Sequence, residues 1–285
     1  MKLHCADRIL DLTVAQVMGV LNTTPDSFSD GGKFSDLSAA TQQAEIMLAD
    51  GATIIDVGGE STRPGASPVD LQQELDRVIP VVESISDNLD VCISVDTSSP
   101  QVMLEAKKAG AHMLNDVRAL TRSGAIEAAA ETGLPVCIMH MQGEPDTMQA
   151  NPLYSQVVNE VFNFLQGRIS DCESAGIEKS RILVDPGFGF GKSMAHNYQL
   201  LNQLHRFLDL GVPVLAGLSR KSMIGAALQN PLGEARPVNE RLHGSVAGAL
   251  IAVMNGAKIV RVHDVKATSD AIRIFQTTQA CGQNS

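Results

Sequence analysis

Polar or charged side chains stand at the ends of eight short apolar runs of the sequence, and they are the residues that could do chemistry. The run VMGVL, for example, stops at Asn22 and is followed by a polar segment. One such residue is typical of a turn. Side chains that end several parallel strands meet at one edge of a sheet, however, and would line a pocket. The set comprises Asn22, Asp56, Asp96, Asn115, His140, Asp185, Ser219 with Arg220 and Lys221, and Arg261 with His263.

The chemical types of these residues fall into two groups. The carboxylates Asp96 and Asp185 and the carboxamide Asn115 can accept hydrogen bonds from a flat, N–H-rich ligand such as an aminopyrimidine ring. The second group suits phosphate or carboxylate oxygens and consists of Arg63, Arg220, Lys221, Arg261 and His263. The sequence therefore predicts a ligand with a donor-rich heterocycle at one end and anionic oxygens at the other.

Two members of the set keep a structural alternative. Asp56 could cap a helix or brace a neighbouring side chain instead of touching a ligand. His140 could be a satisfied residue of the pocket wall. The residue types alone leave both roles open.

The elements that must position these residues alternate between short apolar strands and amphipathic helices. Strands are predicted over 17–22, 52–57, 91–97, 113–117, 135–140, 181–185, 213–219 and 258–263. Helices are predicted over 38–50, 68–86, 100–109, 123–132, 155–175, 195–210, 238–255 and 265–279. This alternation predicts an α/β protein of the (β/α)8 TIM-barrel class. The alternative, a doubly wound open sheet, lacks its GxGxxG fingerprint after the first strand.

Composition limits the domain count and the class of partner. The 285 residues show no linker or composition break, so we expect a single domain, 1–285, with a short N-terminal segment, 1–15, closing the barrel bottom. A net charge of −10 without a basic run argues against nucleic acid. The longest nearly apolar run, 244–254, is too short to span a bilayer. Five scattered cysteines without a CxxC pair favour a reduced, cytoplasmic protein.

One glycine-rich stretch, DPGFGFGKS at 185–193, is similar to a phosphate-binding loop but lacks the first glycine, because Pro186 stands there. We interpret it as a loop that lets Phe190 fold over a ligand, with a plain tight turn as the alternative. The sequence contains no HExxH pattern and no cluster of Cys and His, so it does not predict a zinc ion held by protein ligands alone. Mg²⁺ needs only one or two protein oxygens beside substrate phosphates, and Asn22 could supply one.

Seven segments together resemble the dihydropteroate synthase family. They occur in the family's order, span nearly the whole chain and are specific as a set. They are GVLNTTPDSFSDGG (19–32), DVGGESTRPGA (56–66), ISVDT (93–97), NDV (115–117), DPGFGFGK (185–192), GLSRKS (217–222) and RVHD (261–264).

The resemblance implies a transfer reaction of folate biosynthesis. In that reaction 7,8-dihydropterin-6-ylmethyl diphosphate loses pyrophosphate, and the amine of p-aminobenzoate takes its place to give 7,8-dihydropteroate. The resemblance also implies a magnesium ion and a homodimer. Two rivals share the expected pterin pocket: a pterin-dependent methyltransferase, and a non-catalytic paralogue that binds pterin without turnover.

The resemblance assigns roles to individual residues. The pterin diphosphate would be bound by Asn22, Thr62, Asp96, Asn115, Asp185, Lys221, Arg261 and His263. The p-aminobenzoate would be bound by Phe28, Arg63, Pro64, Phe190, Ser219 and Ser222. Asn22 would contact Mg²⁺, and the catalytic set would be Lys221, Arg261, His263 and Asp96.

The chemistry of the substrates favours a dissociative, SN1-like displacement. A neutral aromatic amine is already nucleophilic, so the sequence needs no Ser/His/Asp or Cys/His pair to activate it. The electron-rich pterin can delocalise the methylene cation. The polar segments 23–35 and 61–68 are expected to act as lids that exclude water from that cation.

Overall fold

The computed structural model describes residues 1–23, 33–60, 69–143, 148 and 152–282. Ten strands lie in these ranges: β1 Lys2–Cys5, β2 Arg8–Asp11, β3 Gln16–Asn22, β4 Ile54–Gly58, β5 Cys92–Asp96, β6 Met113–Asp116, β7 Val136–Met139, β8 Ile182–Asp185, β9 Leu215–Ala216 and β10 Ile259–Val262. The α-helices of the same ranges are α1 Lys33–Ala49, α2 Leu71–Asn88, α3 Pro100–Lys108, α4 Ala125–Thr132, α5 Val157–Ser174, α6 Met194–Asn202, α7 Ser222–Ala227, α8 Leu242–Met254 and α9 Val265–Gly282.

Eight parallel strands form the barrel that the alternation predicted. Their order is β8-β7-β6-β5-β4-β3-β10-β9, and every neighbouring pair is parallel. A parallel bridge between Val184 and Val214 joins the two ends of this order. The TIM-barrel prediction is therefore confirmed, and the predicted strands correspond one to one with β3 to β10.

Several predicted boundaries differ from the structure. Strand 213–219 shortens to β9, in part because Pro213 has no N–H to donate to a ladder. Helix 195–210 divides into α6 and a 3₁₀ helix, Leu204–Leu210. Helix 238–255 begins instead as a 3₁₀ turn, Val238–Glu240, before α8. The short helix α7 was not predicted.

An antiparallel hairpin of β1 and β2 covers the amino-terminal end of the barrel. Alternate residues of this segment, Leu3, Cys5, Leu10 and Leu12, are buried. They belong to one cluster with side chains from the amino-terminal halves of the barrel strands: Met18, Ile54, Cys92, Met113, Cys137, Leu183, Leu215 and Ile259. The hairpin thus keeps water out of one end of the barrel, and the polar strand ends gather at the other.

The layer outside the barrel is a second, larger apolar core. The outward side chains of the strands, such as Ile55, Ile93 and Leu114, pack against buried helix residues such as Val82 and Ala106. Over the described residues, no helix is both long and apolar enough to cross a membrane.

Candidate active site at the carboxyl ends of the strands

Arg261 lies across the mouth of the barrel and joins two carboxylates on distant strands. Its Nε donates to Asp56 Oδ2 at 2.6 Å, and its Nη2 donates to Asp96 Oδ2 at 2.9 Å. Arg261 belongs to β10, whereas Asp56 and Asp96 belong to β4 and β5, which do not pair with β10. One guanidinium therefore reaches past β3 and offsets the charge of carboxylates two and three strands away.

Asp56 is a brace, which was one of its two predicted alternatives. Its side chain is fully buried, and its Oδ2 also accepts a hydrogen bond from Asn115 Nδ2 at 3.2 Å. The same oxygen therefore fixes Arg261 and Asn115 at once. Asp56 lies beneath both residues, so it sets their positions within the mouth.

Asp185 and Lys221 occupy the neighbouring part of the mouth. Asp185 Oδ1 accepts from the N–H of Gly187 at 2.7 Å. Lys221 Nζ donates to the carbonyl of Phe188 and lies 4.3 Å from the ring centroid of Phe190. The structure therefore brings the acceptors and the cations predicted for the pterin side into one recess.

Gly217 explains how closely these groups approach. A Cβ on this residue would lie 3.6 Å from Asp185 Oδ2 and 3.7 Å from Arg261 Cβ, so the bare backbone of Gly217 faces both side chains. A longer side chain at position 217 would enter the recess between them.

Burial shifts the pKa values of these groups toward their neutral forms. Burial raises the pKa of Asp96 to about 7. The positive charge of Arg261 lowers this pKa in part, and the negative charge of Asp56 raises it further. Burial also raises the pKa of Asp185, which Lys221 opposes. Burial lowers the pKa of Lys221 to about 8, although the negative charge of Asp185 acts to raise it. A ligand that brings its own donors and anionic oxygens would restore the charged forms.

Burial alone would lower the pKa of Arg261, but the charges of Asp56 and Asp96 outweigh it and raise that pKa. The guanidinium therefore stays charged throughout the ordinary pH range. It is the fixed cation of the mouth.

Ser219 and His263 contact each other, although the sequence indicated no Ser/His pair. His263 Nδ1 lies 3.1 Å from Ser219 Oγ, which also accepts from the N–H of His263 at 3.2 Å. A serine hydroxyl that donates to Nδ1 leaves the imidazole proton on Nε2. In that tautomer the contact orients the imidazole and leaves Nε2 as a donor.

Asn22 ends β3, the strand that pairs with both β10 and β4, and its Cα is opposite Gly58. The carboxamide is half-buried at the carboxyl end of the barrel. Asn22 and His263 therefore lie on the same side of the mouth, at the ends of neighbouring strands.

The remaining predicted residues divide between those the structure describes and those it does not. Ser222 is exposed and begins α7. Phe28, Thr62, Arg63 and Pro64 lie outside the described residues, as do 24–32 of the first predicted lid and the whole of 61–68. Residues 33–35 of that lid are instead the start of α1, which begins before the predicted helix 38–50. Their assigned roles stay predictions.

Arg220 does not behave as the free anion-binding group that its position suggested. Its Nε donates to Asp264 Oδ2 at 2.9 Å, and its Nη2 forms a second, short bond with Oδ1 of the same carboxylate. A bidentate pair of this kind fixes the guanidinium against its partner. Arg220 is therefore a structural neighbour of the mouth.

A polar network behind β5 and β6 was missed by sequence reasoning. Asp116 accepts hydrogen bonds from Ser98 Oγ, from the N–H of Arg118 at 2.8 Å and from the N–H of Leu120 at 2.7 Å. The residue next to it is Asn115, so the network fixes the backbone that carries a pocket residue. The NDV segment contained the only sequence signal for it, a second acidic residue at a strand end.

Within the described residues, no group of three or more His, Cys, Asp and Glu side chains could hold a metal ion. A cation bound here would need oxygens from a ligand in addition to those of the protein. The half-buried carboxamide of Asn22 is compatible with that arrangement.

Comparisons with known proteins agree with this geometry. Residues 18–263 match the family model described as pterin binding enzyme. The dihydropteroate synthase of Haemophilus influenzae is 58% identical over 98% of this chain and 99% of that protein.

Two solved structures extend the likeness to three dimensions. The dihydropteroate synthase of Yersinia pestis with a sulfonamide drug is 53% identical, with a TM-score of 0.92 over 98% of this chain and 100% of that one. The enzyme of Xanthomonas albilineans with 4-aminobenzoic acid is 49% identical, with a TM-score of 0.91 over 98% of both chains.

The raised pKa of Asp96 predicts a pH-dependent stability. The folded-state pKa of about 7 lies above the ordinary value of 3.8, so this group stabilises the fold below about pH 4 and the contribution is lost as pH rises through about 7. Asp96→Asn removes this titration. We expect the difference in free energy of unfolding to move in favour of the variant as pH rises, by about 1.4 kcal/mol per unit of pKa difference.

Urea unfolding of both proteins between about pH 4 and about pH 8 measures this difference. Asp87→Asn, at an exposed position of α2, controls for the loss of a carboxylate. A difference that is independent of pH, or that moves in favour of the wild type, would contradict the prediction.

Proposed function

We propose that this chain, which belongs to the pterin-binding enzyme family, acts as a dihydropteroate synthase. It condenses 7,8-dihydropterin-6-ylmethyl diphosphate with p-aminobenzoate and releases pyrophosphate. The observation that carries the proposal is the shared recess, in which Asp96, Asn115 and Asp185 stand beside Lys221 and Arg261. The recess provides acceptors for the pterin and cations for its diphosphate.

The three acceptors would take the donor edge of the pterin. A carboxylate pairs bidentately with a ring N–H and an adjacent amino group, and Asp185 and Asp96 are both within the recess. In the structure Asp96 Oδ2 accepts a hydrogen bond from Arg261 Nη2. Pterin binding would replace that bond, while Arg261 keeps its bond to Asp56 and moves along the ring face.

The cationic groups would stabilise the departing diphosphate. Arg261 stays charged, and His263 is oriented by Ser219 so that a protonated Nε2 can donate to a phosphate oxygen. Both lie at the end of β10 or just beyond it, beside Asn22 on β3. These three residues form the diphosphate side of the mouth.

Asn22 would hold a magnesium ion through its carboxamide oxygen, together with oxygens of the diphosphate. This fits the single neutral oxygen donor at the end of β3. When bound, Mg²⁺ supplies Lewis-acid neutralisation of the diphosphate charge.

The bond changes follow from this division of the site. The C–O bond to the diphosphate breaks with its electron pair on oxygen, and the methylene cation is delocalised into the pterin. The nitrogen lone pair of p-aminobenzoate then forms the new C–N bond, and the nitrogen loses a proton. Once the donors of the pterin have restored their charged forms, the carboxylates Asp96 and Asp185 favour the cation electrostatically.

The p-aminobenzoate would enter on the side of Phe190, Ser219 and Ser222. Phe190 lies beside Lys221, and Ser219 beside His263, so this side adjoins the reacting methylene. Phe28, Arg63 and Pro64 are proposed to complete this side and Thr62 to contact the diphosphate. The two predicted lids are proposed to cover both substrates.

A turnover assay tests the proposal. We expect the purified protein, given the pterin diphosphate, p-aminobenzoate and Mg²⁺, to release pyrophosphate and 7,8-dihydropteroate in equal amounts. We also expect EDTA to stop the release, and a sulfonamide to compete with p-aminobenzoate because it shares the ring and the para-amine.

The rivals give other results in the same assay. Tight pterin binding without product would indicate a non-catalytic paralogue. Methyl transfer from a methylated folate, with no condensation, would indicate the methyltransferase. Either result would contradict the proposed function.

We also propose that two copies of the chain associate through α8. This helix carries no Asp, Glu, Lys or Arg, and Ile251 and Met254 on it are 44% and 61% exposed. Ile274 on the neighbouring α9 is 71% exposed.

Light scattering should give about twice the 30.3 kDa chain mass, and Met254→Asp should lower the measured mass. A monomeric mass for the wild type would contradict the dimer.

A further inference from the structure

Lys192, the lysine of the GKS segment, is turned into the protein and is only 3% exposed. Its hydrogen-bond partners within the described residues are carbonyl oxygens and an imidazole nitrogen. Nζ lies 2.9 Å from the carbonyls of Gly187 and Phe190, 3.3 Å from the carbonyl of His140 and 2.9 Å from His140 Nδ1. Burial lowers the pKa of Lys192 well below its ordinary value, and its amine contacts three backbone carbonyls whose positions the proposed reaction does not otherwise explain.

His140 is the second part of this arrangement. It follows β7 and is buried, with its ring edge-on to Phe164 at 4.9 Å. Burial, and then the charge of Lys192, lower the pKa of His140 to about 3. Nδ1 is therefore unprotonated near neutral pH and can accept from Lys192. His140 is therefore a satisfied residue of the pocket wall, as its structural alternative predicted. Its hydrogen-bond partner is Lys192.

The segment that Lys192 holds is the turn from Gly187 to Gly191. The N–H of Phe190 donates to the carbonyl of Gly187 at 3.1 Å, which closes the turn. A Cβ on Gly187 would lie 1.9 Å from the carbonyl oxygen of His140, so this turn packs directly on the end of β7. Lys192 reaches under the turn and bonds to both of its ends.

Two further contacts hold the same turn from outside. The N–H of Gly189 donates to Asn197 Oδ1 at 2.7 Å, and Tyr154 Oη donates to the carbonyl of Gly191 at 2.9 Å. Asn197 is itself buried in α6. The N–H of Gly187 also donates to Asp185 Oδ1, so the turn is fixed at several points, of which Lys192 supplies two.

The turn makes three contacts with Lys221. The carbonyl of Phe188 accepts from Lys221 Nζ, and the ring of Phe190 lies 4.3 Å from that nitrogen. Gly189 packs against the Lys221 stem, since a Cβ there would lie 2.9 Å from Lys221 Cδ. A shift of the turn would therefore move Phe190 and release Lys221 together.

We infer that Lys192 is a positioning residue for the p-aminobenzoate side of the site: by anchoring the 187–191 turn on His140, it fixes Phe190 and the resting place of Lys221. The inference rests on the proposed function, which assigns Phe190 to the second substrate. Lys192 touches neither substrate. It acts through the turn.

The test is the kinetics of Lys192→Met, which keeps the length of the side chain and removes its donors. We expect the KM for p-aminobenzoate to rise by about tenfold or more, because a small displacement of a positioning wall has effects of this size. We expect the dissociation constant of the pterin diphosphate to rise as well, by a smaller factor of about threefold, because the turn also holds Lys221 whereas Asp96 and Asn115 lie on other strands.

The control is Lys179→Met, at an exposed lysine just before β8. Each protein is assayed well below its melting temperature, so that stability and kinetics are separated. A folded Lys192→Met protein with a KM within about twofold of the wild-type value would overturn the inference, because a purely structural lysine moves only the melting temperature.

A second pair of variants covers the case in which Lys192→Met does not fold. His140→Gln retains an acceptor for Lys192, and His140→Leu removes it. We expect the leucine variant to raise the KM by about threefold or more and the glutamine variant to remain closer to wild type. Equal, wild-type values for both variants would overturn the inference. Failure of the wild type to turn over would instead remove the proposed function.

Discussion

The arrangement of the mouth depends on one interaction, the guanidinium of Arg261 held between the carboxylates of Asp56 and Asp96. Three aspartates, Asp56, Asp96 and Asp185, share a largely buried recess. Like charges in such a place repel strongly, and burial favours their neutral forms. A fixed cation across the opening makes their charge tolerable. Arg261 supplies it from β10, which is separated from β4 by β3 alone.

The fold makes this interaction possible because the closed parallel barrel places strands that are far apart in the sequence close together. Arg261 and Asp56 are 205 positions apart in the chain, and their strands do not pair with each other. The hairpin of β1 and β2 fills the opposite end with apolar side chains, so polar groups are confined to one mouth. The two ends of the barrel therefore have different roles. The end beneath the hairpin is packed with apolar side chains, and the other end carries polar groups that can bind a ligand.

Much of this could be predicted from the sequence, because strand ends have a local signature. The alternation of apolar runs and helices gave the barrel, and the residue that ends each run gave Asp96, Asn115 and Asp185. What could not be predicted were contacts between remote positions. The bracing role of Asp56 needs Arg261, and the burial of Lys192 needs His140, 52 positions away. The hairpin and α7 were missed because their segments are too short for a clear period.

The most direct measurement is a double-mutant cycle on the dissociation constant of the pterin diphosphate, by calorimetry, with Asp56→Asn and Arg261→Met. Asparagine can still accept from Asn115 but has no charge for Arg261. If Asp56 acts by holding Arg261, Asp56→Asn should weaken binding in the Arg261 protein and have little effect in the Arg261→Met protein, with a coupling of about 1 kcal/mol or more. Equal weakening in both backgrounds would show that the guanidinium is not what Asp56 positions.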